Sequence, residues 1–308
     1  MQGPSRTAFF TALIRGHHTR TTGKRILVDP WSDLHVRDAV RLGMAQNVMQ
    51  HVPAGQRAAA QAAPNLVVDA WLRNSPAYAN VIVRSRYTED SLHDAVARGV
   101  RQYVLVGAGL DSYAFRSPLT RQQLRVFEVD HPDSQGYKRA RINELGIESP
   151  AALRFIAANL AEEPLDKALV RSDFDVGAPA FFSWLGVTMY LTREANLDCL
   201  RAMARCAAPG SEVVFTYIEQ EAFDLDPASP TNGFAAMQNV VSAVGEPFLC
   251  GFDPAKLGAD LVQVGFELVE DMTDAQMLRR YDPAGTSAMP VGGFGRIARA
   301  RVAQRTQA

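Results

Sequence analysis

RQYVLVGAGLDSYAFR, residues 101–116, decides the fold. Strand-like residues run directly into Gly107-Ala108-Gly109 and break off at Leu110-Asp111. A strand ending in a small, glycine-flanked loop is backbone cleared for close approach, either by a ligand or by a tight turn alone. The loop departs from the GxGxxG dinucleotide fingerprint, because Ser112 stands where the third glycine falls. No Gly-Lys-Ser/Thr follows, so it is not a phosphate loop either. The missing glycine serves close helix–strand packing around a pyrophosphate, so its absence tilts the reading towards a nucleoside without that group.

Outward from this loop the texture alternates. Short apolar runs recur at 103–107, 125–129, 153–157, 181–187, 212–218 and 266–271, and a seventh at 295–302 can close the sheet. Helical segments are expected at 134–145, 193–207 and 254–264. The clearest is 193–207, with Thr192 as N-cap and Pro209-Gly210 as its stop. This rhythm predicts a doubly wound, mostly parallel, seven-stranded Rossmann-like α/β sheet with ligand at the carboxyl ends of the strands.

Residues 1–95 carry helical spacing and no convincing strand; Val67, Val68, Trp71 and Leu72 fall on one helix face. The expected organisation is a helical cap over 1–95 on the substrate side and a sheet domain over 96–308. Residues 222–251 interrupt the alternation with Asp224, Asp226, Pro227, Pro230 and Gly233, then a helical stretch near 234–244. A segment of that length after the fifth strand is expected to form a lid, with an ordinary surface excursion as the alternative.

Composition bounds the partners. The 308 residues are 47% hydrophobic and 21% charged, with a net charge of −1 and no Lys/Arg-rich run. That argues against nucleic acid or a membrane surface as the main partner. Cys199, Cys206 and Cys250 have no CxxC or Cys/His spacing, which fits a reducing cytoplasm and gives no sign of zinc. The first apolar stretch is broken by Arg15, and nothing later approaches the roughly 18 apolar residues of a membrane span, so a cytoplasmic protein is expected. His17-His18, with no carboxylate beside them, are expected to be surface residues rather than metal ligands.

Two further stretches bear on the ligand. Glu128-Val129-Asp130 ends the second strand about 20 residues beyond the glycine loop, where an acidic side chain accepts hydrogen bonds from ribose hydroxyls. Period-2 alternation aims Glu128 and Asp130 to one side; a metal or acid/base pair is the alternative, but no His/Asp cluster accompanies them. At the third strand end, Asn159 can bond a purine amine while Leu160 packs on the ring. Alternatively, Asn159 caps the turn into 162–170.

Loop, acidic pair and third-strand pair together resemble a class I S-adenosylmethionine-dependent methyltransferase. More narrowly, the chain resembles the leucine carboxyl methyltransferase family in its actinobacterial branch. RSRYTEDSLHDAVARGVRQYVLVGAGLDSYAFR (84–116), VFEVDHPDSQGYK (126–138) and FFSWLGVTMYLTREA (181–195) carry the likeness. The opening RTAFFTALIRGHHT (6–19) and Asp29-Pro30 add to it. The likeness spans roughly residues 5–218.

The resemblance implies roles. Gly107 and Gly109 let backbone approach the methionine part of S-adenosylmethionine, and Arg84 pairs with its carboxylate. Asp130, supported by Glu128, takes the ribose hydroxyls, and Asn159 with Leu160 holds the adenine. The family usually has Asp at the Asn159 position, so this chain keeps an acceptor oxygen and loses a charge. Trp184-Leu185-Gly186-Val187 matches the actinobacterial branch. Members that methylate a protein phosphatase carry a glutamate there, so Leu185 argues against that substrate.

A small-molecule acceptor methylated on a carboxylate or hydroxyl oxygen is therefore expected. A carboxylate is already ionised, whereas a hydroxyl needs a base. Tyr190, Tyr217, Glu219 and His131 lie near strand ends, and none stands out. Phe9, Phe10, Trp31, Phe223, Phe234 and Phe248 allow an apolar acceptor and are equally what a core needs. Two rivals stay open. A nicotinamide-dependent oxidoreductase calls for a third glycine and a catalytic Tyr-x-x-x-Lys or His/Asp arrangement, neither of which is evident; the other rival is a non-catalytic ligand-binding protein of this fold.

Overall fold

A computed structural model of the chain describes residues 5–21, 23–50, 52, 57–225, 233–243 and 245–303. Five helices come first: α1 (Arg6–Arg20), α2 (Asp38–Met49), α3 (Arg57–Ala62), α4 (Pro64–Arg73) and α5 (Tyr78–Ala97). Alternation then begins with β1 (Gln102–Val106), α6 (Tyr113–Arg116), α7 (Pro118–Gln122), β2 (Arg125–Asp130), α8 (Pro132–Glu144), β3 (Leu153–Ala157) and α9 (Leu165–Val170). It continues through β4 (Ala180–Trp184), α10 (Arg193–Arg205), β5 (Glu212–Ile218), α11 (Glu221–Asp224) and α12 (Gly233–Ala243). The last elements are α13 (Pro254–Gln263), β6 (Phe266–Thr273), α14 (Asp274–Tyr281) and β7 (Gly295–Val302).

All seven apolar runs are strands of one sheet, in the order β3-β2-β1-β4-β5-β7-β6. Neighbours from β3 to β5 are parallel, while β7 runs antiparallel to both β5 and β6. The order reverses at β1 and β4, which makes their carboxyl ends the switch point where ligands bind in doubly wound sheets. Every residue of β1 is buried, as befits a parallel strand covered on both faces. Tyr103 and Leu105 join a core with α1, α5 and α8, and Val104 and Val106 join another with α9, α10 and α13.

Helix signals act as expected. The Thr192 hydroxyl accepts the Ala195 amide and starts α10. In α4, Val68 and Leu72 are fully buried, but Trp71 is 37% exposed. Helix α5 crosses the expected boundary at residue 95 and packs on β4 and β5.

Two expectations are corrected. The fourth apolar run is too long as a strand: β4 stops at Trp184, because Gly186 turns the chain at φ +71° and donates its amide to Thr216 Oγ1 at 2.8 Å. His18 is buried and His17 half-buried, so neither is the exposed residue expected. His17 Nδ1 bonds Tyr78 Oη at 2.8 Å, and His18, only 3% exposed, accepts the Ile26 amide at 3.0 Å. Burial holds His18 down to about 4, so it serves as a neutral acceptor. Of the interruption after β5, Asp226, Pro227, Pro230 and residue 244 lie outside the described residues; Phe234 and Val241 of α12 pack with Met189 and Phe248. No helix among the described residues is long and apolar enough to cross a membrane.

Candidate functional site

A cavity of about 1520 Å³ opens at the carboxyl ends of β1 to β5, beneath the N-terminal helices. Arg84, Gly107, Gly109, Asp130, Asn159 and Leu160 all line it, whereas Glu128 does not. Distant segments of sequence are thus brought to one cavity.

The floor is the glycine loop. Gly107 and Gly109 hold φ +71° and +52°, conformations that side chains disfavour. A Cβ on Gly107 would lie 2.5 Å from Val187 Cγ2, so the position has no room for one. The Gly107 amide donates to Val129 O at 2.8 Å, and the Gly109 amide donates to Asp130 Oδ2 at 2.6 Å. Arg15 Nη2 and Lys138 Nζ reach the carbonyls of Leu110 and Asp111 at 2.7 and 2.6 Å, fixing the loop from behind.

Asp130 ends β2 beside this loop. Its Oδ1 accepts the His131 amide at 2.7 Å, so each carboxylate oxygen has one backbone donor and one acceptor position to spare. Burial pushes its carboxyl up, against the pull of the two backbone donors.

Glu128 is the departure from the expected site. It is 1% exposed and pairs with Lys138 Nζ at 2.5 Å, beneath α8 and away from the cavity. Two residues upstream of the strand end, it is covered by the helix that follows. Its carboxyl is pushed up to about 7 by burial, with Lys138 opposing. Asn159 lines the cavity and also starts a turn: its Oδ1 accepts the Ala161 amide at 3.2 Å, and its carbonyl accepts the amides of Glu162 and Glu163.

Arg84, on α5, faces the cavity across from the floor. Its Nη1 donates to Asn80 Oδ1 at 2.9 Å, and its guanidinium rests on Gly186, where a Cβ would come within 2.8 Å of Nη2. Among the described residues it has no carboxylate within ion-pair distance. Burial lowers it to about 10, with Arg15 adding repulsion. A half-buried cation at a cavity wall with no direct ion pair, reached by Asp274 only through Asn80, can take an anion.

The leucine carboxyl methyltransferase family profile matches residues 8–204, which include all seven residues singled out from sequence. The chain belongs to the leucine carboxyl methyltransferase family. A family relative from Bacillus subtilis, YktD, is provisionally named an S-adenosyl-L-methionine-dependent methyltransferase. It is 27% identical over 271 residues, 87% of this chain and 88% of that one. A Mycobacterium marinum protein with the same provisional name is 35% identical over 138 residues, 45% of each chain. Among solved structures, a provisionally named methyltransferase from Thermobifida fusca aligns with TM-score 0.59 at 18% identity, covering 98% of this chain and 96% of that one. A DUF574 family protein from Streptomyces avermitilis gives 0.56 at 16% identity, covering 97% and 98%. These two share the fold.

Several residues of this family member were not singled out from sequence. Asn80 Nδ2 donates to Asp274 Oδ1 at 2.6 Å, and both side chains line the cavity. Asp274 is 2% exposed, and burial pushes it up to about 6. The spacing of Asn80 and Arg84, one helical turn apart, was the available signal; Asp274 lies too far along the chain to carry one. Glu246 accepts the amides of Arg6 and Thr7 at 2.9 and 3.2 Å, capping α1 over the cavity.

The base candidates are mostly occupied. His131 Nδ1 accepts the Asp133 amide at 3.3 Å, Tyr217 donates to Asp271 at 2.9 Å, and Glu219 pairs with Arg296 at 2.8 Å. Tyr190 lines the cavity, with burial pushing its phenol to about 12. Of the six aromatics, Phe9, Phe10 and Phe248 line the cavity. Trp31 packs on Phe115 instead, while Phe223 and Phe234 back Phe248.

Proposed function

We propose that this chain is an S-adenosylmethionine-dependent methyltransferase that methylates an oxygen, carboxylate or hydroxyl, of an apolar small molecule. The observation that carries the reading is the convergence on one cavity of an unpaired guanidinium, two left-handed glycines, a carboxylate with free acceptor positions and an Asn-Leu pair. Arg84 takes the methionine carboxylate in a charge-assisted contact, and Gly107 and Gly109 admit the methionine chain. Asp130 accepts the ribose hydroxyls. Glu128 supports it indirectly, through Lys138 and the loop carbonyl of Asp111. Leu160 packs on the adenine and Asn159 accepts from its amine. The names carried by YktD and the mycobacterial relative support the same cofactor.

S-adenosylmethionine brings an activated methyl group when bound. What remains for the protein is to bind, align the acceptor and exclude water. Residues 1–95 supply the acceptor wall with Phe10 and Trp71 and lend Arg84 to the cofactor, 96–308 supply the rest of the cofactor wall, and 222–251 act as lid through Met237, Val241 and Phe248. Cys199, Cys206 and Cys250 are free thiols, which fits a cytoplasmic setting.

The test is transfer of tritium from methyl-labelled S-adenosylmethionine into a small-molecule extract of the host. Mass identification of the labelled product follows. A labelled methyl ether or ester is expected. Label in carbon- or nitrogen-methylated products, or none above a heat-killed control, contradicts the reading.

A further inference from the structure

The cofactor-side residues sit at the ends of β1 to β3. On the side of the same cavity under β5, β7 and β6, next to Arg84 and joined to it through Asn80, lies a further carboxylate. Asp274 is the first residue of α14, directly after β6, and it is almost wholly buried while lining the cavity.

Its surroundings are built. Arg84 Nη1 occupies Asn80 Oδ1, which turns the Asn80 amide nitrogen towards Asp274 Oδ1. Gly295, at the start of β7, clears the space: a Cβ there would collide with Asp274 Oδ2 and lie 2.9 Å from Asn80 Nδ2. No described donor reaches Oδ2, so one carboxylate oxygen is held against the cavity without a partner. Leaving such an atom unsatisfied costs stability, and a ligand donor would remove that cost. The charged groups around it are Arg84 on α5, Arg296 on β7 and Glu219 after β5. Arg296 is already tied to Asp271 and Glu219, so it is not a counter-ion for Asp274. Phe10, Trp71, Phe248 and Phe294 give the same cavity apolar wall.

Resting on the methyltransferase reading, we propose that Asp274 is a catalytic residue that takes the proton of an acceptor hydroxyl, so the acceptor is an apolar alcohol or phenol and not a carboxylate. The acceptor O–H bond breaks and its proton goes to Asp274 Oδ2. The oxygen pair forms the new O–CH₃ bond as the methyl–sulfur bond of S-adenosylmethionine breaks, its electron pair staying on sulfur as S-adenosylhomocysteine forms. The proton then leaves Asp274 for solvent. A carboxylate acceptor has no proton to give and would meet a like charge at this wall.

The test is calorimetric binding to the full chain saturated with S-adenosylhomocysteine, using 2-naphthol and 2-naphthoate as probes. S-adenosylhomocysteine is titrated first, and its failure to bind overturns the cofactor reading and this proposal together. Wild type is expected to bind 2-naphthol at least tenfold more tightly than 2-naphthoate. Asp274→Asn is expected to weaken 2-naphthol at least fivefold and to strengthen 2-naphthoate, while S-adenosylhomocysteine still binds. If the variant does not fold, the wild-type preference alone decides. With S-adenosylhomocysteine bound, equal or tighter binding of 2-naphthoate by wild type, binding of neither probe, or an unchanged preference in a folded Asp274→Asn variant overturns the proposal.

Discussion

Asp130 Oδ2 accepts the Gly109 amide at 2.6 Å, so the carboxylate that ends β2 holds the floor that ends β1. One side chain therefore has two tasks, shaping the glycine loop and keeping spare acceptor positions for a ligand. The alignment is supported by the register, which sets Val106 beside Val129 and Asp130 beside Ala157.

Removing Asp130 should damage both tasks. Asp130→Ala is expected to weaken S-adenosylmethionine binding at least tenfold, about 1.4 kcal/mol, because ribose donors and the Gly109 amide lose their acceptor together. Asp130→Asn keeps one acceptor oxygen and should lose less. Titration calorimetry on both variants measures the difference, and equal losses count against the two-task role.

Arg84 should act on one end of the ligand only. Arg84→Ala is expected to weaken S-adenosylmethionine at least tenfold and to leave 5′-methylthioadenosine, which lacks the carboxylate, within twofold. Parallel titrations of the two ligands decide it. A matching loss for both ligands assigns Arg84 to the architecture of α5 instead.

Gly107 has no room for a side chain and sits at φ +71°. Gly107→Ala is expected to destabilise by roughly 1–3 kcal/mol, from left-handed strain and the collision with Val187. Adding Val187→Ala removes the collision and not the strain, so it should recover only part. Denaturant unfolding of the two variants reads this directly.

Asp274 should leave a mark on stability against pH. Its folded pKa, raised by burial to about 6 from the ordinary 3.8, means that the folded state holds the proton more tightly. Its contribution therefore falls as pH rises from about 4 to about 6 and is constant above, a span worth roughly 3 kcal/mol at 1.4 per unit. Asp274→Asn should match wild type near pH 4 and be more stable at pH 7 to 8. Urea unfolding across that range checks the sign, and a variant less stable at pH 7 than at pH 4 relative to wild type contradicts it.

The sheet was readable chiefly from β1, β4 and β5, whose residues are buried throughout and read as near-continuous apolar runs. The end of β4 was not, because Leu185, Gly186 and Val187 continue the apolar texture while the backbone has already turned. The cavity wall was legible at the strand ends, where Gly107, Gly109 and Asp130 line it. Glu128 looked equivalent to Asp130 by alternation, but whether a carboxylate meets the cavity depends on where α8 begins, which alternation does not encode. The Asn80–Asp274 pair joins helices far apart in sequence, so only the folded chain brings it together.

The most direct measurement is a calorimetric titration of the wild-type chain with S-adenosylmethionine, run beside NADH. One saturable S-adenosylmethionine site and no heat from NADH are expected. NADH binding in its place, or no S-adenosylmethionine binding at millimolar concentration, would contradict the assignment of this cavity.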